Sequence, residues 1–447
     1  MVNLFRNISI SALAMLLFSG VAMSQVVVSV DPTAEMGPIK MMNAANNGPK
    51  GGNFKDYKAL RVPYARTHDT PHRWNTHTVD IDQIFPDWDA NVNNPKSYDF
   101  TLTDELLAMM IKAGTRPFFR LGQSIEHDSK KYGIYPPKNY KKWAKICEHV
   151  IRHYNEGWAD GHEWNIEYWE IWNEPDLRED GAAHKETWGG TKAEFFDFYE
   201  IAAKHLKNRF PDLKIGGPAI GCKLDWATDF IREMSKRNVP LDFFSWHVYG
   251  TTPQRFLEKQ ETYKSILLEN GYTETETICN EWNYVRGWDV DFVYSIETII
   301  SLKGAAFTAA KMLAGQHSSI DMMMYYDARP CPFNGIFDYY TYKPLKGYYT
   351  FKMFNELYKL GTSYEVKVDC EDVYCVAAKN GNDEAVMISF YNDNDEDTSV
   401  KTIDLDINGK EEYDLYLLDE EHDMDNVGVL KKGDVLKLKH NTAVLLK

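Results

Sequence analysis

The chain has 447 residues, 44% of them hydrophobic, 14% aromatic and 26% charged. That composition excludes a disordered or fibrous chain, and the length excludes a single small module. A formal net charge of −16, from 50 basic and 66 acidic residues, excludes nucleic acid as an expected partner, because phosphate binding needs a basic face.

From the N-terminus, residues 1–24 read as a leader and not as part of the fold. Arg6 supplies the positive start, residues 8–18 a short apolar run, and Ala22-Met23-Ser24 a small-residue cleavage pattern. The run is shorter than the ~20 apolar residues a bilayer span needs. No other segment reads as transmembrane, so an exported protein, periplasmic or extracellular, is expected, with no membrane insertion. The stretch 25–38 carries a β-type run, Val26 to Val30, expected to add a strand to the C-terminal domain.

Between 39 and 360, short apolar runs alternate with longer helical ones. Strands are predicted at 39–43, 62–66, 116–122, 167–173, 214–218, 243–249, 276–282 and 320–327. Helices are predicted at 103–113, 139–154, 191–208 and 294–314. The third opens on Thr191-Lys192-Ala193-Glu194, a capping box, and Phe195, Phe198, Tyr199, Ala202 and Leu206 recur at helical spacing. Eight buried strands separated by helices predict a (β/α)₈ TIM barrel, and no Gly-x-Gly-x-x-Gly loop supports a doubly wound sheet instead.

From 361 the pattern becomes short β-type segments between Asn, Asp and Gly turns, which predicts a β-sandwich over 361–447. This segment holds 9 Lys and 21 acidic residues, so it contributes −12 of the net charge. Six cysteines are too few for a disulfide scaffold. Cys370 and Cys375 flank a predicted turn, and the residues alone leave open whether they pair. There is no C-x-x-C and no H-E-x-x-H, since His162-Glu163 lacks a second His four residues on. No metal and no cofactor are expected.

Two predicted strand ends carry chemistry. The fourth ends Tyr168-Trp169-Glu170-Ile171-Trp172-Asn173-Glu174-Pro175, and the seventh ends Thr277-Ile278-Cys279-Asn280-Glu281-Trp282-Asn283. In a barrel, such ends open into the active-site mouth. Paired carboxylates among indoles suit glycoside hydrolysis, with one as acid and the other as nucleophile. Burial against an indole raises the pKa of an acid, and Trp282 is expected at the sugar. Glu170, four residues before Glu174, is expected as a buried support. Arg66, His68 and Asp69 end the second strand, with His72 close by. Arg66 is placed to hold a carboxylate, His68 and Asp69 to meet sugar hydroxyls. Asp327 ends the eighth strand.

The Trp-Asn-Glu-Pro at 172–175 and the Glu281 strand resemble the retaining (β/α)₈ glycosidases, and the chain looks most like glycoside hydrolase family 39, which includes β-xylosidases and α-L-iduronidases. Asn46-Asn47-Gly48-Pro49 and Gly216-Gly217-Pro218 extend the resemblance. By that resemblance Glu174 is the acid/base, Glu281 the nucleophile, and Asn173 a donor to the sugar 2-hydroxyl. His247 and Tyr249, in Ser245-Trp246-His247-Val248-Tyr249, match the family's sixth-strand pattern, and Tyr249 is placed to orient Glu281. The loops at 120–124 and 325–329 depart from the pattern, so the sugar does not carry over. The implied function is an exo-acting retaining glycosidase on a pentose-type residue, xylosidase-like or arabinosidase-like, of an oligosaccharide or polysaccharide side chain. A uronide hydrolase, with Arg286 or Arg329 meeting the carboxylate, and an endo-acting glycanase are the alternatives. A carbohydrate-binding protein on an inactive barrel is the rival of a different class. An oligomer is possible.

Overall fold

A computed structural model describes residues 23–69, 78–127, 129–407 and 410–447. The expected leader lies outside the described residues except for Met23 and Ser24, which open the first strand, β1 (Met23–Pro38). His72 also lies outside them.

Eight parallel strands close a barrel in sequence order: β2 (Met41–Asn46), β3 (Tyr64–Thr67), β4 (Arg116–Leu121), β5 (Tyr168–Ile171), β6 (Lys214–Ile220), β7 (Phe243–Gly250), β8 (Glu276–Tyr284) and β9 (Met322–Tyr325). Closure pairs β9 with β2. Helices cover the outside. The helix Lys192–Arg209 starts as its capping box predicts: Thr191 Oγ1 accepts from the Glu194 amide, and the Thr191 amide donates to Glu194 Oε2 at 2.8 Å. The helix expected over 294–314 is instead two, Phe292–Ile299 and Leu302–Gln316. Ser301 caps the second, and Gly304 lets it begin against the end of the first, where a Cβ would lie 2.3 Å from the Thr298 carbonyl oxygen.

The two-residue period of the strands sorts the barrel interior into layers. Ala44, Tyr64, Phe118, Tyr168, Phe243, Ile278, Met322 and Met324 form one apolar cluster. Two residues further along their strands stand Asn46, Arg66, Arg120, Glu170, Ser245 and Asn280, all fully buried. The apolar layer thus plugs the barrel, and a polar layer lies above it, under the mouth.

The C-terminal segment adds β10 (Thr362–Val368), β11 (Val373–Asn380), β12 (Asp383–Phe390), β13 (Val400–Ile407), β14 (Glu412–Leu418), β15 (Asp423–Lys431), β16 (Val435–Lys439) and β17 (Thr442–Leu446). With β1 they make one nine-stranded sheet in the order β15-β14-β17-β12-β11-β10-β1-β13-β16. The patterning predicts a sandwich of two sheets; here one hydrogen-bonded sheet curls around its own apolar core. The joining piece is β1, antiparallel to β10 and parallel to β13. Its Val26, Val28 and Val30 alternate into that core. All six cysteines are free thiols, Cys370 and Cys375 included.

Candidate active site

Arg66, at the end of β3, organises the polar layer. It donates from Nε to Glu170 (2.6 Å), from Nη1 to Glu281 (2.7 Å) and Asn46 (3.2 Å), and from Nη2 to Asn173 (2.7 Å). A fully buried guanidinium is tolerated because its planar fork meets four acceptors. Glu170 accepts in turn from Ser245 (2.6 Å) and Asn280 (2.5 Å), so it is an internal support and does not face the mouth.

Glu281 reaches the mouth through a break in the strand period. Strict alternation from inward Ile278 points Asn280 and Trp282 inward and Glu281 outward. The β7–β8 pairing instead shifts between Trp246 and His247, and the β8–β9 pairing between Cys279 and Trp282. This bulge admits both Asn280 and Glu281 to the interior, a re-aiming that bulges commonly perform. It also corrects the expectation for Trp282. Its indole turns outward, packs on Phe307 and Tyr325, and carries Lys311 Nζ 4.9 Å above its ring, away from any sugar. The indoles of β5 likewise face the helix layer, Trp169 against Phe119 and Trp172 against Trp188 and Phe198.

Glu174 follows β5 on a turn that leaves regular strand geometry, with Trp172 at φ 74° and Glu174 at φ 47°. Non-glycine residues in the left-handed region are uncommon and cluster at functional sites. The Glu174 amide donates to the Ala219 carbonyl (2.9 Å), and Thr187 Oγ1 donates to the Glu174 carbonyl, fixing the turn. His247 Nδ1 lies 2.7 Å from Glu174 Oε1 and 3.5 Å from Glu281 Oε2. One oxygen of each glutamate and one His247 nitrogen all lie within 4.8 Å of one another. Tyr249 donates to Glu281 Oε2 at 2.9 Å.

The electrostatics separate the two carboxylates. Burial, reinforced by the neighbouring carboxylate of Asp176, pushes Glu174 up to about 8. Asp176 is itself buried and held by the amides of Gly221, Cys222 and Lys223, each at 2.8 Å. Burial also raises Glu281, opposed by the Arg66 guanidinium and the Tyr249 hydroxyl. Burial lowers His247 to about 4, so the ring is neutral near pH 7.

His68 and Asp69 complete the wall on the β3 side. His68 Nε2 is 3.7 Å from Glu281 Oε1 and 3.5 Å from Asp69 Oδ1, and Asp69 sits at φ 45°. Asp69 accepts from the Ile125 amide (3.0 Å) and from Tyr326 (3.3 Å). Asp327 is close by but fully committed: it accepts from Asn47 (3.0 Å) and the Arg329 amide (2.6 Å) and pairs with the Arg329 guanidinium (2.8 Å). Arg286 is not at the mouth. It lies on the Tyr294 ring and pairs with Asp395 of the C-terminal sheet (3.0 Å). Eight of the expected site residues therefore converge: Arg66, His68, Asp69, Asn173, Glu174, His247, Tyr249 and Glu281.

The aromatic surface at the mouth comes from residues at or past the strand ends. Tyr249 meets Trp288 edge-on at 5.1 Å, and Tyr326 and Phe333 stand within 6.4 Å of it. Trp288 is 61% exposed. These loop aromatics, with the supports Asn46, Ser245, Asn280 and Asp176, had one signal in the sequence: polar or aromatic residues at or just past strand ends.

Residues 51–285 match the model of glycosyl hydrolases family 39, more than half of the chain. The chain belongs to this family. The matched span contains both glutamates, Arg66 and the β7 pair His247 and Tyr249. Among curated family relatives it is 28% identical over 216 residues to a β-xylosidase of Geobacillus stearothermophilus, and 31% identical over 165 residues to one of Caldicellulosiruptor saccharolyticus. These matches cover 42% and 35% of this chain, and only 41% and 32% of those proteins. The fold is shared over almost the whole length with a glucosidase of Croceicoccus marinus, with a TM-score of 0.76 at 20% identity, covering 95% of this chain and 98% of that one.

Proposed function

We propose that this family 39 chain is an exo-acting retaining glycosidase, with Glu174 as acid/base and Glu281 as nucleophile. The observation that carries this reading is the approach of one oxygen of each carboxylate to within 4.8 Å around His247. Retaining enzymes hold their carboxyls ~5–5.5 Å apart, whereas inverting ones leave ~6.5–9.5 Å for a water. The surroundings support the same assignment: Glu174 keeps its proton near pH 7, while Glu281 faces the Arg66 guanidinium and the Tyr249 hydroxyl.

In the first step Glu174 gives its proton to the leaving oxygen as Glu281 attacks the anomeric carbon and forms a glycosyl ester. Spending the Glu281 charge in that ester removes a repulsion that holds Glu174 protonated, so Glu174 becomes the base for the attacking water. Asn173, its carbonyl pinned by Arg66, keeps its amide nitrogen free of other partners. That donor suits the sugar 2-hydroxyl, whose contact strengthens in the transition state. The names of the curated β-xylosidase relatives support a pentose-type residue of an oligosaccharide or polysaccharide side chain as substrate. Residues 1–24 support export.

The deciding experiment combines a panel of aryl α- and β-glycosides with proton NMR of the first-formed product. Retention of configuration is expected. An inverted product overturns the mechanism, and hydrolysis of no glycoside by wild type overturns the activity.

A further inference from the structure

Among the helices outside the barrel, three side chains from separate elements converge. Asp104 belongs to the helix Thr101–Ala113, His153 to the helix Tyr140–Asn155, and His162 to the segment that leads into β5. We propose that Asp104, His153 and His162 form a binding site for a zinc-class divalent transition-metal ion.

The hydrogen bonding of His153 carries the inference. Its Nδ1 is 2.8 Å from the Trp158 carbonyl oxygen, which can only accept, so the proton sits on Nδ1. In the neutral ring Nε2 then presents a lone pair, and it faces Asp104 Oδ1 at 3.1 Å. Two acceptors that close need a proton or a metal ion between them. His162 Nε2 is 3.7 Å from the same Asp104 oxygen, enclosed, and without any hydrogen-bond partner. Ligands ~2.1 Å from a tetrahedral zinc ion are ~3.4 Å apart, so 3.1 and 3.7 Å bracket the needed separation.

The donors are also held as metal ligands usually are. A metal-bound histidine typically donates its other ring N–H to a carbonyl or carboxylate, as His153 does to Trp158. His153 stacks on Phe100 at 3.6 Å and His162 on Trp164 at 3.8 Å, which fixes both rings. The loop lies so close on His153 that a Cβ on Gly161 would be 2.2 Å from the His153 carbonyl oxygen. Two imidazoles, a carboxylate and a water would complete a four-coordinate site that pins the loop before β5. H-E-x-x-H spacing misses it because the ligands come from different elements.

The test uses untagged full-length protein, stripped with a chelator and titrated with zinc chloride by calorimetry, with cobalt(II) absorption as a second readout. One ion per chain is expected, with a Kd below about 10 µM, a higher melting temperature, and the intense visible bands of a tetrahedral cobalt site. His162→Gln and Asp104→Asn should each weaken binding about tenfold or more while leaving metal-free glycosidase turnover unchanged. His153, buried and stacked, is left in place so that the variants fold. Binding weaker than about 10 µM, with a melting temperature insensitive to zinc, would mean an imidazolium–carboxylate pair and overturns the proposal. Binding that survives in both variants and inhibits turnover would place the ion on the Glu174, His247 and Glu281 cluster, and overturns it equally.

Discussion

His247 Nδ1 lies 2.7 Å from Glu174 Oε1, so the sixth barrel strand supplies the partner of the carboxyl that follows the fourth. The same nitrogen is 3.5 Å from Glu281 Oε2, so one ring faces both carboxyls. With Glu281 needed as the carboxylate and Glu174 losing its proton near 8, the pH profile of kcat/KM should be bell-shaped. In His247→Ala the Glu174 carboxyl loses its side-chain partner, so the alkaline limb should shift while the acidic limb stays in place. Profiles measured with a glycoside of poor leaving group check this; an unmoved alkaline limb would count against the role given to His247.

Tyr249→Phe removes the only hydroxyl hydrogen bond to Glu281 seen among the described residues. A hydrogen bond to a charged group contributes about 1.5–3 kcal/mol, so kcat should fall about ten- to a hundredfold. The acidic limb should rise, because the lost bond favoured the charged carboxylate. Steady-state kinetics across pH separates this from a general loss of folding.

Glu174 offers a stability prediction with a definite sign. Its carboxyl has a folded pKa raised from 4.5 to about 8, so the native state holds a proton that the unfolded chain releases. Stability contributed by this group therefore falls as pH rises through that window. Glu174→Gln removes the titration. It should match wild type near pH 4.5, exceed it progressively above that, and keep a constant advantage beyond about pH 8. Urea unfolding at several pH values reads the gap directly; a gap that narrows with rising pH would be the wrong sign.

Arg66 is the least replaceable residue of the site. Arg66→Met strands the buried Glu170 and Glu281 carboxylates without their counter-charge, at a cost of about 3–5 kcal/mol. Arg66→Lys keeps the charge but cannot meet Glu170, Glu281, Asn46 and Asn173 together. It should fold with a smaller loss of stability, yet show a large fall in kcat. Thermal melts and kinetics on both variants check the difference.

Trp288 stands at the rim, largely exposed and edge-on to Tyr249. Trp288→Ala should raise KM with little change in kcat or melting temperature, because it removes a surface for sugar C–H faces and no reacting group. A fall in kcat alone would place it in the machinery itself.

Much of this arrangement was legible in the chain. The alternation of apolar runs and helical patterns foretold all eight barrel strands, and the capping box at Thr191 foretold the start of its helix. In the C-terminal sheet, nearly all residues of β15 are solvent-facing, so no apolar alternation marks it as a strand. The helix over 294–314 read as continuous because helical periodicity does not register a close approach like that of Gly304 to Thr298.

What the sequence by itself determined are the residue types and the strand ends that carry them: Asn173-Glu174 after β5, Glu281 in β8, Arg66-Thr67-His68-Asp69 at the end of β3. Hydrophobic period and composition suffice for that, because each strand's burial is a local pattern. Only the tertiary structure decided which of those side chains meet. The bulge in β8 admits Glu281 and expels Trp282, and a bulge is a mismatch between neighbouring strands that no single strand records. Barrel closure then brings Arg66, Glu170, His247 and Glu281 from four strands into one buried network. The same closure sends Arg286 to Asp395 on the C-terminal sheet, because pairing across 109 positions of chain is fixed by packing and not by spacing.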